Sequence, residues 1–273
     1  MTYPRIPAQA VRRALLLVVA GLLGYSVDGQ AQIAVIGSTV EEHTAAAGQR
    51  YEGTILVRNV TAAPQTVRVY QTDYHFFADG TSHFDEPGTT VRSNAAWIKP
   101  STSTVMIPPS SELVVGYTVS VPALDSLRGT YWSALMVEGA PTAPPTAATK
   151  QVGLGAVIRY AVQLVTHLPA AGSRKVAFAN QTLSLDSLGH HVMELEVQNA
   201  GERGYRPNLW VELYDATGAI RGRREQQRGL LYPGTSLKQR FVFDTLPVGS
   251  YKAVVFADTG DDSVFATQYK LQF

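Results

Sequence analysis

The chain has 273 residues, 23 Lys and Arg against 22 Asp and Glu, and no cysteine. So even a balance offers no bulk field for nucleic acid or an anionic membrane surface. Without Cys there is no disulfide, no thiolate metal site, no thiol nucleophile and no lipidation cysteine.

Arg5, Arg12 and Arg13 precede an apolar run over 14–23, and small residues follow at Gly29 and Ala31. This reads as a secretory signal peptide over residues 1–31, cut after Ala31. The run is shorter than the roughly 20 residues that span a bilayer, so no stable membrane insertion is expected. Removing three Arg and Asp28 leaves 20 basic and 21 acidic residues, a formal charge of −1. The mature protein is expected to be periplasmic, secreted or at the cell surface.

Beyond the signal, strand signals dominate. Over 51–59, Tyr51, Ile55 and Val57 share one face and Glu52, Thr54 and Arg58 the other, with Leu56 breaking the pattern. Val67 and Val69 repeat it. Over 112–121 the alternation is cleanest: Leu113, Val115, Tyr117, Val119 and Val121 against Glu112, Thr118 and Ser120. Period-two alternation means a sheet with one buried and one wet face. The run 131–137 is apolar on both faces, as a central or covered strand should be. The Pro/Ala/Thr stretch over 140–149 has little to bury and predicts a mobile loop. One more strand, 157–165, precedes a break at Leu168-Pro169-Ala170-Ala171-Gly172.

The second part repeats this grammar. Met193, Leu195 and Val197 face inward, then Leu209, Val211 and Leu213, then Leu237, Phe241 and Phe243, with a last hairpin turning over 258–262. Turn signals about every 8 to 12 residues are the spacing of an all-β sandwich. A short signature is also written twice. Val57-Arg58-Asn59 and Gly129-Thr130-Tyr131 recur as Val197-Gln198-Asn199 and Gly249-Ser250-Tyr251, each pair bracketing a Pro turn, Ile107-Pro108-Pro109 and Tyr232-Pro233-Gly234. The expectation is two tandem immunoglobulin-like β-sandwiches, residues 32–170 and 171–273.

Trp97-Ile98, Ile107-Pro108-Pro109, Val119-Ser120-Val121-Pro122 and Arg128-Gly129-Thr130-Tyr131-Trp132, in that order, resemble the N-terminal domain of periplasmic pilus chaperones. The pattern is also similar to Gram-positive surface proteins that interact with WxL-domain proteins and likewise pair two immunoglobulin-like domains. The chaperone resemblance implies strand addition to a subunit along the last strand of the first domain. It also implies a carboxylate grip by a basic residue on that strand and an Arg on the first strand. The matching position here is Gln163, with Arg159 the nearby cation and no Arg on the initial strand, Ile33–Ile36, so the grip is not expected.

On strand 157–165 the face carrying Ile158, Tyr160, Val162 and Leu164 is assigned to the core. The other face, Val157, Arg159, Ala161, Gln163 and Val165, is the candidate partner-binding site, with the 140–149 loop beside it. The alternative is a module for an envelope polysaccharide, built on Arg221, Arg223, Arg224 and Arg228 with Trp97 as a stacking residue. The histidines show no ligand spacing, and Asp258, Asp261 and Asp262 read as turn residues rather than a calcium loop. No G-x-S-x-G elbow or paired-carboxylate motif is present. The expectation is a non-enzymatic protein with no cofactor or metal, whose partner is another extracytoplasmic protein.

Overall fold

The computed structural model describes residues 32–140, 157–169, 172–244 and 246–273. The expected signal peptide, residues 141–149 of the expected loop and the expected boundary at 170–171 lie outside the described residues. Among the described residues seventeen strands and one 3₁₀ turn (Ala95–Trp97) build two β-sandwiches. Among the described residues no helix is long and apolar enough to cross a membrane.

In the first sandwich, one sheet has the order β1-β3-β8-β6 (Ile33–Ile36, Arg50–Asn59, Glu112–Ser120, Ile98–Pro100). Facing it is the sheet β2-β10-β9-β4-β5 (Val40–Thr44, Arg159–His167, Thr130–Gly139, Gln65–Phe76, Ser82–Asp85), with β7 (Thr104–Ile107) also on β4. The alternating residues meet between them: Ile55, Val57, Val115, Val119, Leu135, Val137, Val162 and Leu164 form one buried cluster. The second sandwich stacks β11-β12-β15 (Val176–Leu185, His191–Asn199, Ser236–Phe243) on β14-β13-β16-β17 (Ile220–Gln227, Asn208–Tyr214, Ser250–Asp258, Val264–Gln272). Its core gathers Met193, Leu195, Val197, Leu209, Val211, Leu213, Phe241 and Phe243. At about 25 cal/mol per Å² of apolar surface removed from water, such clusters supply the main folding force in a chain with no cross-links.

The repeated signature has a structural meaning. Asn59 and Asn199, each ending a strand, are fully buried. The Asn59 amide donates to the carbonyls of Ala63 (2.7 Å), Ile107 (3.1 Å) and Pro108 (2.9 Å), and its oxygen accepts from Thr61 N–H at 2.9 Å. Asn199 does the same one domain later. It donates to Arg203 (2.7 Å) and Leu231 (2.9 Å) carbonyls and accepts from Gly201 N–H at 2.9 Å. The backbone N–H of each Asn closes the same ring, Asn59 onto Ser111 O and Asn199 onto Thr235 O. Each carboxamide thus ties a strand end, its outgoing loop and the Pro turn into one unit.

The later half of the signature diverges. The Tyr251 hydroxyl donates back to Pro247 O at 2.8 Å, a tyrosine corner. Tyr131 instead packs against Trp97 at 4.8 Å.

Replacing Asn59 or Asn199 by Ala strands buried carbonyls without donors. Each change should cost about 2–4 kcal/mol, since an unsatisfied buried polar group costs about 1–3 kcal/mol. The midpoint of urea unfolding, compared with wild type at constant m-value, measures it; a loss under about 0.5 kcal/mol would contradict this tying role of the two carboxamides.

Candidate functional site: an edge strand half open

β10 runs antiparallel to β9 over its whole length, Arg159 opposite Glu138 through His167 opposite Thr130. Its other edge is divided. β2 pairs with it in parallel from Gln163 opposite Val40 to His167 opposite Thr44, and no described strand pairs with residues 157–162 on this edge. The cause is the leading segment of the chain. β1 pairs with β3 in the opposite sheet; the chain then turns at Gly37, φ +104°, and its continuation crosses to β10 as β2. A left-handed φ of this kind is accessible to Gly at little cost.

The orientation of the open backbone follows from the covered half. Gln163 N–H donates outward to Thr39 O at 2.8 Å. Alternation along a strand then directs the N–H and C=O groups of Ala161 and Arg159 to the same outer edge. Val162 and Leu164 are buried in the core and Tyr160 packs on it, with its hydroxyl donating to Ile33 O at 3.1 Å. On the opposite face Val157 and Arg159 are exposed and Ala161 is half-buried.

Beside the open edge lies a charge cluster. Glu138 is 6 % exposed. It accepts from Arg159 Nε at 2.7 Å and the Tyr70 hydroxyl at 2.7 Å, with Arg68 at 3.6 Å. Burial, then the bond to Glu138, raises the Tyr70 phenol above its ordinary value. Two cations surround one carboxylate, so the face next to the edge carries a surplus positive charge.

The covered half belongs to the interface between the sandwiches, which corrects part of the expected site. Val165 is fully buried with Trp132 and Tyr232 in an inter-domain cluster that Val40, Tyr74, Phe76 and Leu230 complete. Trp132 stacks on Tyr232 at 4.7 Å and 7°. Gln163 accepts the Tyr232 hydroxyl. Gln163 and Val165 therefore hold the second domain and are withdrawn from the open site. Sequence reasoning placed them on the correct face but had no means of seeing what covers it.

A polar relay runs through the same interface. Gly204 N–H of the second domain donates to Thr130 Oγ1 at 2.8 Å, and the Thr130 hydroxyl shares a hydrogen bond with His167 Nδ1 at 2.9 Å. His167 then donates from Nε2 to Glu42 at 3.0 Å, and the second Glu42 oxygen takes Arg206 of the second domain. Glu202 reaches the other way, to Arg92 (3.3 Å) and Arg128 (3.4 Å) of the first domain. Gly129, φ +75°, has no room for a side chain: a Cβ would lie 2.1 Å from Glu202 O.

The residues named for polymer binding are occupied elsewhere. Arg221 pairs with Asp215, Arg223 with Glu212 (3.2 Å) and Glu225 (2.9 Å), and Arg224 with Val242 O (2.8 Å) and Asp244 (3.3 Å). Three of the four arginines are thus neutralised within their own sandwich. Trp97 ends the 3₁₀ turn and packs against two core clusters. Arg228, in no ion pair among the described residues, lines a crevice between the domains.

No family model matches this chain, and no curated protein matches it. Among solved structures it is similar to the class 5 fimbriae chaperone CfaA, with 11% identity, 86% of this chain and 98% of that chain covered and a TM-score of 0.46. It is similar also to the E. coli chaperone DraB, with 14% identity, 88% and 98% covered and a TM-score of 0.41. A third is a pre-assembly complex of the chaperone CsuC with CsuE from Acinetobacter baumannii, with 13% identity, 77% and 90% covered and a TM-score of 0.41. These likenesses are loose in superposition and remote in sequence.

Burial alone would raise the Glu42 carboxyl, but hydrogen bonds from Arg206 and His167 outweigh it and hold the group below its ordinary value of 4.5. A carboxyl depressed on folding stabilises fully above that value and loses the contribution as pH falls through the folded one. The stability difference between wild type and Glu42→Gln should therefore be largest near neutrality and shrink as pH drops below 4.5. Urea unfolding at a series of pH values reads this out; a difference that grows on acidification would refute it.

Proposed function

We propose that the chain is an extracytoplasmic assembly chaperone or scaffold that engages a partner protein by strand addition along residues 157–162 of β10. The observation that carries this reading is the divided edge: β2 closes Gln163 to His167 and stops, while β9 continues to Arg159. The outward backbone groups of Arg159 and Ala161 lie in line with a strand already accepted on the same edge. A partner segment there would extend β2 end to end and continue the sheet. The expected signal peptide supports a site of action outside the cytoplasm, in the periplasm or beyond it.

Magnitudes limit what the edge does alone. A net gain of about 0.5–1.5 kcal/mol per hydrogen bond over so short a stretch falls near or short of the roughly 4 kcal/mol of a millimolar complex. Side chains must supply the remainder. Val157 and Arg159 flank the outward positions, and the surplus charge beside Glu138 adds a preference for acidic partner residues.

Pro at 161 removes an outward N–H without breaking a β9 ladder bond, because the inward bonds belong to Tyr160 and Val162. Ala161→Pro should keep the melting temperature within a few degrees and weaken capture of the partner from envelope extract at least about tenfold. The chain from Gln32 onward, immobilised and followed by mass spectrometry, gives both readings. Undiminished capture by a folded Ala161→Pro variant would sink the strand-addition mechanism.

A further inference from the structure

The sheet order β2-β10-β9-β4-β5 places β5 on the edge opposite the strand-addition site. The β4–β5 hairpin leans on the second domain, with Ala78 N–H donating to Ser236 Oγ at 3.0 Å. Under it opens a crevice of about 410 Å³, lined by Phe76, Phe77 and Ala78 from one sandwich and Arg228, Leu230 and Lys238 from the other. We propose that this crevice and the hairpin above it form a second docking site, which takes an acidic peptide segment carrying aromatic or large apolar residues.

Charge argues for the acidic part. Among the described residues every arginine except Arg203 and Arg228 is in an ion pair, and Lys238, like the other described lysines, is in none; the carboxylate opposite it in the ladder, Glu196, takes a hydrogen bond from Asn180. No acidic residue lines the crevice. The nearest hairpin carboxylate, Asp79, is engaged by the backbone and hydroxyl of Thr81. Two cations in no ion pair among the described residues, Arg228 and Lys238, beside the apolar wall of Phe76, Leu230 and Leu237 give the crevice a positive rim that favours an incoming anion.

Exposed aromatics argue for the apolar part. Phe77 is 38 % and Phe84 48 % exposed. Phe77 meets His83 edge-on at 5.8 Å and Phe84 stacks on Tyr74 at 5.1 Å, so both rings are held in place before any partner arrives. Pre-ordered aromatics beside an unpaired Arg are the composition of interface hot spots. The crevice volume admits a few side chains and not a folded domain, which sets the occupant as an extended segment. Because the two sites lie on opposite edges of one sheet, both can be filled at once, and the protein can bridge two chains.

The test is an amide NMR titration of the chain from Gln32 onward with a short synthetic peptide of alternating Asp and Phe. A control peptide carries Lys in place of Asp. Shifts are expected at residues 76–80, 228–230 and 236–238, weakened by salt and absent with the lysine peptide. The doubly charge-reversed variant Arg228→Glu/Lys238→Glu, altered only at surface positions and checked by its amide spectrum, should bind at least about tenfold more weakly. Phe77→Ala/Phe84→Ala should also weaken binding, while Ala161→Pro leaves it unchanged. No binding to wild type, equal binding of the lysine peptide, unchanged affinity in the charge-reversed variant, or shifts confined to β10 would each overturn the proposal. Because Ala161→Pro is silent here, failure of this site and failure of the strand-addition reading are separable.

Discussion

Much of the molecule hangs on one buried carboxamide. Asn199 fixes the turn that carries Leu231 and Tyr232 by donating to Leu231 O, while its carboxamide oxygen accepts from Gly201 N–H and its backbone carbonyl from Gly234 N–H. From that turn Tyr232 projects onto Trp132 and Gln163 of the first domain. The stack sets where the second sandwich sits, and its position buries Val165 on the outer face of β10. A neutral amide is suited to the task, since it donates and accepts at once and brings no charge to desolvate. In a chain without disulfides, such fully satisfied polar groups give the core a single arrangement that apolar packing alone would leave loose.

The inter-domain contact combines this apolar stack with charges at its margin. Glu42 with Arg206 and Glu202 with Arg92 and Arg128 join opposite domains. Half-exposed pairs contribute little energy singly, so the stack supplies most of the affinity between the domains and the pairs supply orientation. Gly129 enforces the fit by steric means, because any Cβ there would strike the Glu202 carbonyl.

The strands with clean alternation, β3, β8, β12, β13 and β15, were legible in the sequence because each has one face in a core. β2, Val-Glu-Glu-His-Thr, was not: it has no apolar face, and its pairing with β10 is a long-range parallel one. β11 escaped notice because a register shift between Ala179 and Thr182 breaks its period, with Asn180 at φ +50°. The β10 strand and its core face could be read directly. That half its edge is closed could not, since β2 and Tyr232 come from distant parts of the chain. The Arg221–Arg228 cluster misled for a related reason. Glu212 and Asp215, which neutralise it, lie close only once β13 and β14 pair. The repeated Asn was visible from the start, and an Asn ending two apolar strands at the same point was the signal that it is a buried bridge rather than a turn residue.

The crossing of the leading segment from one sheet to the other has a kinetic side. Glu42 and His167, which meet across the β2–β10 ladder, are 125 residues apart in the chain. A chain that emerges from a pore or channel with its N-terminus first presents β2 long before β10 exists. The first sandwich then waits with its central sheet unfinished, and closes only after nearly the whole domain has passed. Non-local parallel pairing of this kind is slow to form and leaves strand edges bare meanwhile. The charges of β2, Glu41 and Glu42, sit on the segment that waits longest, and charged side chains discourage edge-to-edge association between chains. The same residues that hide β2 from a reading of periodicity thus keep it soluble until its partner arrives.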